Sequence, residues 1–218
     1  MILEGVIRRF TALKGGKAPL DIRMTHQESV AMCQVEPVGF EMTRAGRRFS
    51  LSWNGTVPTG IAPVQAFPTT AAQWVLTNTE LGGGKTYFIK SAGAMVFSGT
   101  TGLGGELLAC LFQTPVQQGL ATGVTVQSAS MGSFVSKASI KSGVTITSPV
   151  LPNWFPLAEQ QSAAAIVGPA SCIINRGIDG RIAIPPQWSL GLSVFAPAGT
   201  TPLYLPIAEW VEIETDME

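Results

Sequence analysis

A chain of 218 residues with 45% hydrophobic and 13% charged side chains is too apolar for a disordered segment, and its charge content falls well below the ~25% of an ordinary globular domain. Fourteen basic side chains match fourteen acidic ones, so no basic field covers the surface to neutralise phosphates, and nucleic acid is not an expected partner. The length suits one sandwich-sized domain or two small ones, and a surface so poor in charge suits a protein whose copies cover one another.

Charge divides the chain into three blocks. Residues 1–48 carry eight basic and five acidic side chains, residues 49–205 carry six and four, and the last thirteen carry five acids (Glu209, Glu212, Glu214, Asp216, Glu218) and no base. The expected organisation is therefore an N-terminal arm of extended and β segments over 1–48 and a folded body over 49–218. Opposite-sign ends around a near-neutral body predict head-to-tail or arm-exchange contacts between copies. The residues expected to make them are Arg8, Arg9, Arg44, Arg47 and Arg48 from the arm with Glu209, Glu212 and Glu214 from the tail.

In chain order, MILEGVIRRF places its apolar residues before its arginines, the reverse of a signal peptide. No uninterrupted apolar run of about 18 residues follows anywhere, so no membrane-spanning helix is expected. RRFSLSW (47–53) alternates Phe49, Leu51 and Trp53 with Arg48, Ser50 and Ser52, the pattern of a strand with one wet face. QWVLTNT (73–79), TYFIKSAGAMVFSG (86–99), ELLACLFQT (106–114), GVTVQSASM (123–131) and VTITSPV (144–150) continue as β-rich runs between Gly, Pro, Asn and Ser clusters. LGGGKTY (81–87) and FSGTTGLGGE (97–106) read as surface loops, the first a flexible hairpin loop with Lys85 at its mouth. PVLPNWFPLAEQ suits a loop crossing between sheets, and LAEQQSAAAIV (157–167) is the one helical candidate, with Pro156 for its first turn and Gly168 for its end. SCIINRG (171–177), SLGLSVFAP (189–197) and AEWVEIE (208–214) complete the strands; in the last, interleaved glutamates predict an edge or one-sided strand with acids outward. Twenty-four glycines and fifteen prolines spread along the chain break any long helix. The fold class is all-β: a jelly-roll-like antiparallel β-sandwich with an extended N-terminal arm.

Catalytic chemistry finds little footing. The single histidine, His26, lies in a polar part of the arm, no GxSxG elbow is present, and a cupin-type metal site needs several histidines. LGGGKTY misses the phosphate-loop motif because Thr79 stands where its first glycine belongs. The body acids Glu80, Glu106, Glu159 and Asp179 are the only ones a carboxylate hydrolase of the body could use. Cys33, Cys110 and Cys172 are odd in number and widely spaced, which fits small buried apolar residues rather than a zinc site. Asn54 in WNGT reads as a tight turn. No catalytic, cofactor-binding or metal-binding residue is assigned, and no cofactor is expected.

In QWVLTNTELGGGKTYFIKSAGAMVFSGTTG (73–102) and SLGLSVFAPAGTTPLYLPIAEWVEIE (189–214) the chain resembles virion structural proteins, in particular jelly-roll capsid decoration (cement) proteins of tailed bacteriophages. The resemblance covers residues 49–214 in style. It implies a non-enzymatic protein made in the host cytoplasm and located on the capsid surface of the virion. There it would form a homotrimer, sit on the shell of major capsid protein, and clasp a neighbour with its arm. A decoration, minor capsid or fibre-base role fits better than the main shell, which typically has a long spine helix. The alternative is a carbohydrate- or receptor-binding, lectin-like β-sandwich of a virion, which needs several of Trp53, Trp74, Trp154, Trp188 and Trp210 exposed on one face.

Overall fold

The computed structural model describes residues 22–24, 30–32, 42–53, 59–101, 104–113, 124–130, 134–146, 152–161, 166–167, 173–196 and 202–214. The chain forms two compact units, Met1–Val38 and Gly39–Glu218. In the first, β1 (Ile22–Met24) and β2 (Val30–Met32) pair antiparallel, Ile22 opposite Met32. The division after Val38 places Arg44, Arg47 and Arg48 in the second unit rather than in an arm that runs to residue 48.

The second unit begins with a helical turn at 42–44, closed by bonds from Gly46 N to Thr43 O (3.0 Å) and from Arg47 N to Met42 O (2.9 Å). Gly46 has φ +67°, a left-handed conformation that glycine adopts without strain, and the ring of Phe134 fills the space a side chain there would need. Twelve strands follow: β3 (Arg48–Trp53), β4 (Ala71–Asn78), β5 (Lys85–Ser98), β6 (Thr100–Thr101), β7 (Gly104–Gln113), β8 (Val124–Ser128), β9 (Ala138–Thr145), β10 (Phe155–Gln161), β11 (Ile166–Val167), β12 (Ile173–Ile184), β13 (Trp188–Phe195) and β14 (Leu203–Glu214). Two five-stranded antiparallel sheets pack face to face, in the orders β10-β7-β13-β4-β9 and β12-β5-β14-β3-β8, while β6 and β11 form a short ribbon of their own.

The pairing is nested. β3 pairs with β14, β4 with β13, β5 with β12, β6 with β11 and β7 with β10, and β8 and β9 lie at the middle of the sequence. The second unit is thus one long two-stranded ribbon folded back on itself and wound so that successive strands pass between sheets, the arrangement of a jelly roll. All-β with an antiparallel sandwich is the observed class, as the alternating runs predict.

The core lies between the sheets. Trp74, Leu76, Leu107, Leu190, Leu192 and Val194 from one meet Phe49, Tyr87, Ile89, Val96, Ile184, Tyr204 and Trp210 from the other. Trp210 stacks between Phe49 and Tyr87, with ring centroids 6.2 Å apart in both pairs. A smaller cluster gathers Ala72, Val75, Cys110, Phe112, Val144 and Ile146 with Trp154 packed against it. Cys110 is fully buried there, and burial pushes its thiol up to about 12, so it behaves as an apolar residue. Gly191 makes this packing possible: a Cβ on it would fall 2.7 Å from Cys110 Sγ. Cys33 and Cys172 lie outside the described residues.

Four expectations are corrected. The helix expected over 157–167 is replaced by strand at its described residues: Phe155–Gln161 pairs with β7 and Ile166–Val167 with β6, because hydrogen-bonding neighbours override a weak local helix preference. AEWVEIE is not an edge strand, since β14 is the central strand of its sheet. The glycine loop after β4 is no hairpin but a crossing between the two sheets. The β9 to β10 connection, in contrast, joins opposite edges of a single sheet.

Candidate functional site

Strand register brings several loops to one end of the sandwich. β4 ends at Asn78 and β5 starts at Lys85; Glu214 of β14 stands opposite Lys85, and Ala138 of β9 opposite Asn78. Asn78 is fully buried and holds this end together: its Nδ2 donates to Lys85 O (2.7 Å) and Ile184 O (2.9 Å), its Oδ1 accepts from Glu80 N (3.0 Å), and its carbonyl accepts from Gln187 N (2.9 Å). A buried amide that satisfies both ends fixes loop positions at little cost.

Within this scaffold lies a cluster of charge. Glu80 is 8% exposed and its Oε2 meets Lys137 Nζ at 2.9 Å. Glu212 is 1% exposed; its Oε1 accepts from the Ser136 hydroxyl and from Trp210 Nε1 (3.3 Å), and its Oε2 lies 3.5 Å from Lys85 Nζ. Ser136 Oγ also accepts from Ala138 N at 2.9 Å, so one hydroxyl ties β9 to the end of β14. The Tyr87 hydroxyl is buried beside Ser136 without a well-formed hydrogen bond among the described residues. Burial first, and then the charge of Glu212, hold its ionisation well above the usual tyrosine range; Ser136 opposes them, and the charge of Glu80 adds the least.

This geometry explains LGGGKTY. The loop closes around Glu80, with Gly84 N bonded to Leu81 O (2.9 Å); a Cβ at Gly84 would sit 2.7 Å from Glu80 Cβ. The lysine turns to a buried carboxylate instead of standing at a mouth. Each acid has its own ammonium, and the arrangement works as a clasp joining the 79–85 loop, the 134–138 segment and the end of β14.

The residues expected to contact other copies are placed as follows. Arg8 and Arg9 lie outside the described residues, as does His26. Arg48 Nε bonds to Glu209 Oε1 of the same chain, on neighbouring strands where Trp210 stands opposite Phe49. The Glu209 carboxylate, by its hydrogen bond and its charge, raises the already high pKa of Arg48. Both partners are part-exposed, so the pair contributes at most about 1 kcal/mol. Arg47 accepts a bond at its carbonyl from Glu212 N (2.8 Å). Arg44 and Glu214 are exposed. Arg48 and Glu209, expected to serve contacts between copies, therefore meet within one chain. Glu212 is corrected from an outward assembly contact to an interior group, turned inward on the central strand. The sequence signal missed was Ser136 and Lys137, two ordinary polar residues whose partners lie 76 and 57 positions away.

Other charges stay outward. Arg176 and Arg181 flank a depression of about 260 Å³ with Pro156, Leu157, Ile178 and Ile182. Exposed large apolar side chains among the described residues are Trp53, Phe67, Leu81, Phe134, Val135 and Trp188. Leu81, Phe134 and Val135 lie on loops at the clasp end, where Trp188 begins β13, whereas Trp53 ends β3 at the opposite end, facing Val124. Trp74 and Trp210 are core residues. Among the described residues no group of three or more His, Cys, Asp or Glu side chains is placed to hold a metal ion, and no helix is long and apolar enough to cross a membrane. Comparisons of the chain with protein-family models and curated proteins, and of its structure with solved structures, give no match.

Proposed function

We propose that this chain is a non-enzymatic structural protein of a virus particle, a capsid decoration (cement) or minor capsid protein that assembles with its own copies as a homotrimer on a shell of major capsid protein. The observation that carries the reading is the nested ribbon of strands in Gly39–Glu218. Jelly rolls of this kind serve viral capsids, lectins and cupins. A cupin metal site takes several histidines, and this sequence has one. A lectin platform needs its aromatics on one face, and the two exposed tryptophans, Trp53 and Trp188, sit at opposite ends of the sandwich.

Assembly is supported by the clasp end. Leu81 is 73% exposed and Val135 82%, on loops held in place by buried polar bonds. Apolar side chains fixed on rigid loops lose little entropy when covered, which suits an interface. Self-association also accounts for a surface with so few charges. Native mass spectrometry of the full chain at micromolar concentration tests the reading. Three copies of the 22.9 kDa chain are expected, and a single copy at every concentration would overturn it.

A further inference from the structure

The open side of the sandwich carries a second kind of charge. Among the described residues β10 and β12 are edge strands, each paired on one side, and the depression lined by Pro156, Leu157, Arg176, Ile178, Arg181 and Ile182 lies between them. Neither edge is suited to adding a strand. Pro156 removes a donor from β10, and β12 is interrupted between Gly177 and Ile182, where Asp179 (φ 51°) and Gly180 (φ 79°) turn the chain outward. Recognition here falls to side chains.

The interruption shapes the arginines. It buries Ile178 to 3% exposure, and Arg181 folds over it, donating from Nε to Ile178 O (3.0 Å) and from Nη2 to Gly177 O (3.3 Å). Two of the five guanidinium N–H groups are thus used to orient the side chain, which is exposed. Arg176 is exposed. Neither arginine forms an ion pair among the described residues; Asp179, the nearest acid in sequence, pairs with Lys90 at 3.6 Å. Two cations, one of them oriented by backbone carbonyls, over a floor of Leu157, Ile178 and Ile182 fit an extended acidic peptide that also carries an apolar residue.

The sequence holds such a segment. Glu209 and Glu212 are engaged within the chain, which leaves Glu214, Asp216 and Glu218, alternating with Thr215 and Met217. In extended form this alternation puts acids on one side and Met217 on the other. To reach its own depression the segment would have to turn back fully extended across β5 and β12. Glu214 ends the central strand opposite Lys85, whereas Ile182 lies two strands over, opposite Ile89. That offset is about 16 Å from strand spacing and rise, against a reach of about 13 Å for four residues. We infer that the groove between β10 and β12 binds the acidic segment Glu214–Glu218 of a second copy of this chain. The inference rests on the self-assembly proposed above and adds the groove and the ligand.

The test uses a labelled synthetic peptide, Ile213–Glu218, titrated into the full chain and followed by fluorescence anisotropy, alongside native mass. Binding that weakens with salt is expected, with a loss of about tenfold or more in Arg176→Glu, a residue that bonds nothing described inside the chain. Arg176→Glu should also lower the native mass, and adding Glu214→Lys, Asp216→Lys and Glu218→Lys should restore it. Equal peptide binding by wild type and Arg176→Glu overturns the inference, as does a peptide of residues 1–20 competing for the groove. No peptide binding together with an unchanged oligomer in Arg176→Glu overturns it and leaves the proposed assembly standing; a wild-type chain that is already monomeric removes both.

Discussion

The clasp and the groove use the same chemical groups to opposite ends. In the clasp, Lys85 and Lys137 face Glu212 and Glu80, which are 1% and 8% exposed, and every charge is answered from a distant part of the same chain. In the groove, Arg176 and Arg181 stand on an open edge and answer to no described carboxylate. Buried charge is tolerable only when paired, so the clasp is committed to the fold; exposed cations with no carboxylate partner among the described residues retain their attraction for something else. The sequence-wide balance of fourteen against fourteen conceals that distinction.

Substitutions in the two regions should separate stability from association. The largest effect is expected for Trp210→Ala, which empties the stack between Phe49 and Tyr87 and removes a donor from Glu212; chemical denaturation should show a loss of about 3–5 kcal/mol. Glu212→Gln preserves shape but leaves Lys85 without its counter-charge, for an expected loss of about 1–3 kcal/mol by the same measurement. A smaller effect concerns alkaline pH. Tyr87 has its pKa raised in the folded chain, so its contribution is fully present below the unfolded tyrosine value of about 10 and is lost as pH rises beyond it. Stability followed from pH 9 upward should therefore fall less steeply in Tyr87→Phe than in wild type. An equal slope in the two would remove Tyr87 from the clasp's account.

Much of the sandwich is legible in the sequence because its cause is local. Phe49, Leu51 and Trp53 alternate with polar neighbours, and the near-continuous apolar character of QWVL and SLGLSVF matches strands buried along almost their whole length. What failed to show was decided by distant partners. Leu157–Gln161, the start of the run that reads as a helix, became strand because β7 offered its edge, and Glu212 turned inward because β14 is central, its register shifting at Glu209/Trp210. The lysine of LGGGKT carries no local sign that its partner is a glutamate on the last strand. Likewise, Arg176 and Arg181 read as two scattered charges until the excursion in β12 sets them either side of one depression.

The contrast between the two regions is tested most directly by the native mass of Arg176→Glu, taken on a sample whose melting midpoint is measured in parallel. A wild-type midpoint is expected, since the side chain is exposed and bonds nothing described within the chain, together with a mass shifted towards the single 22.9 kDa copy. An oligomer identical to wild type would contradict the assignment of these outward charges to assembly.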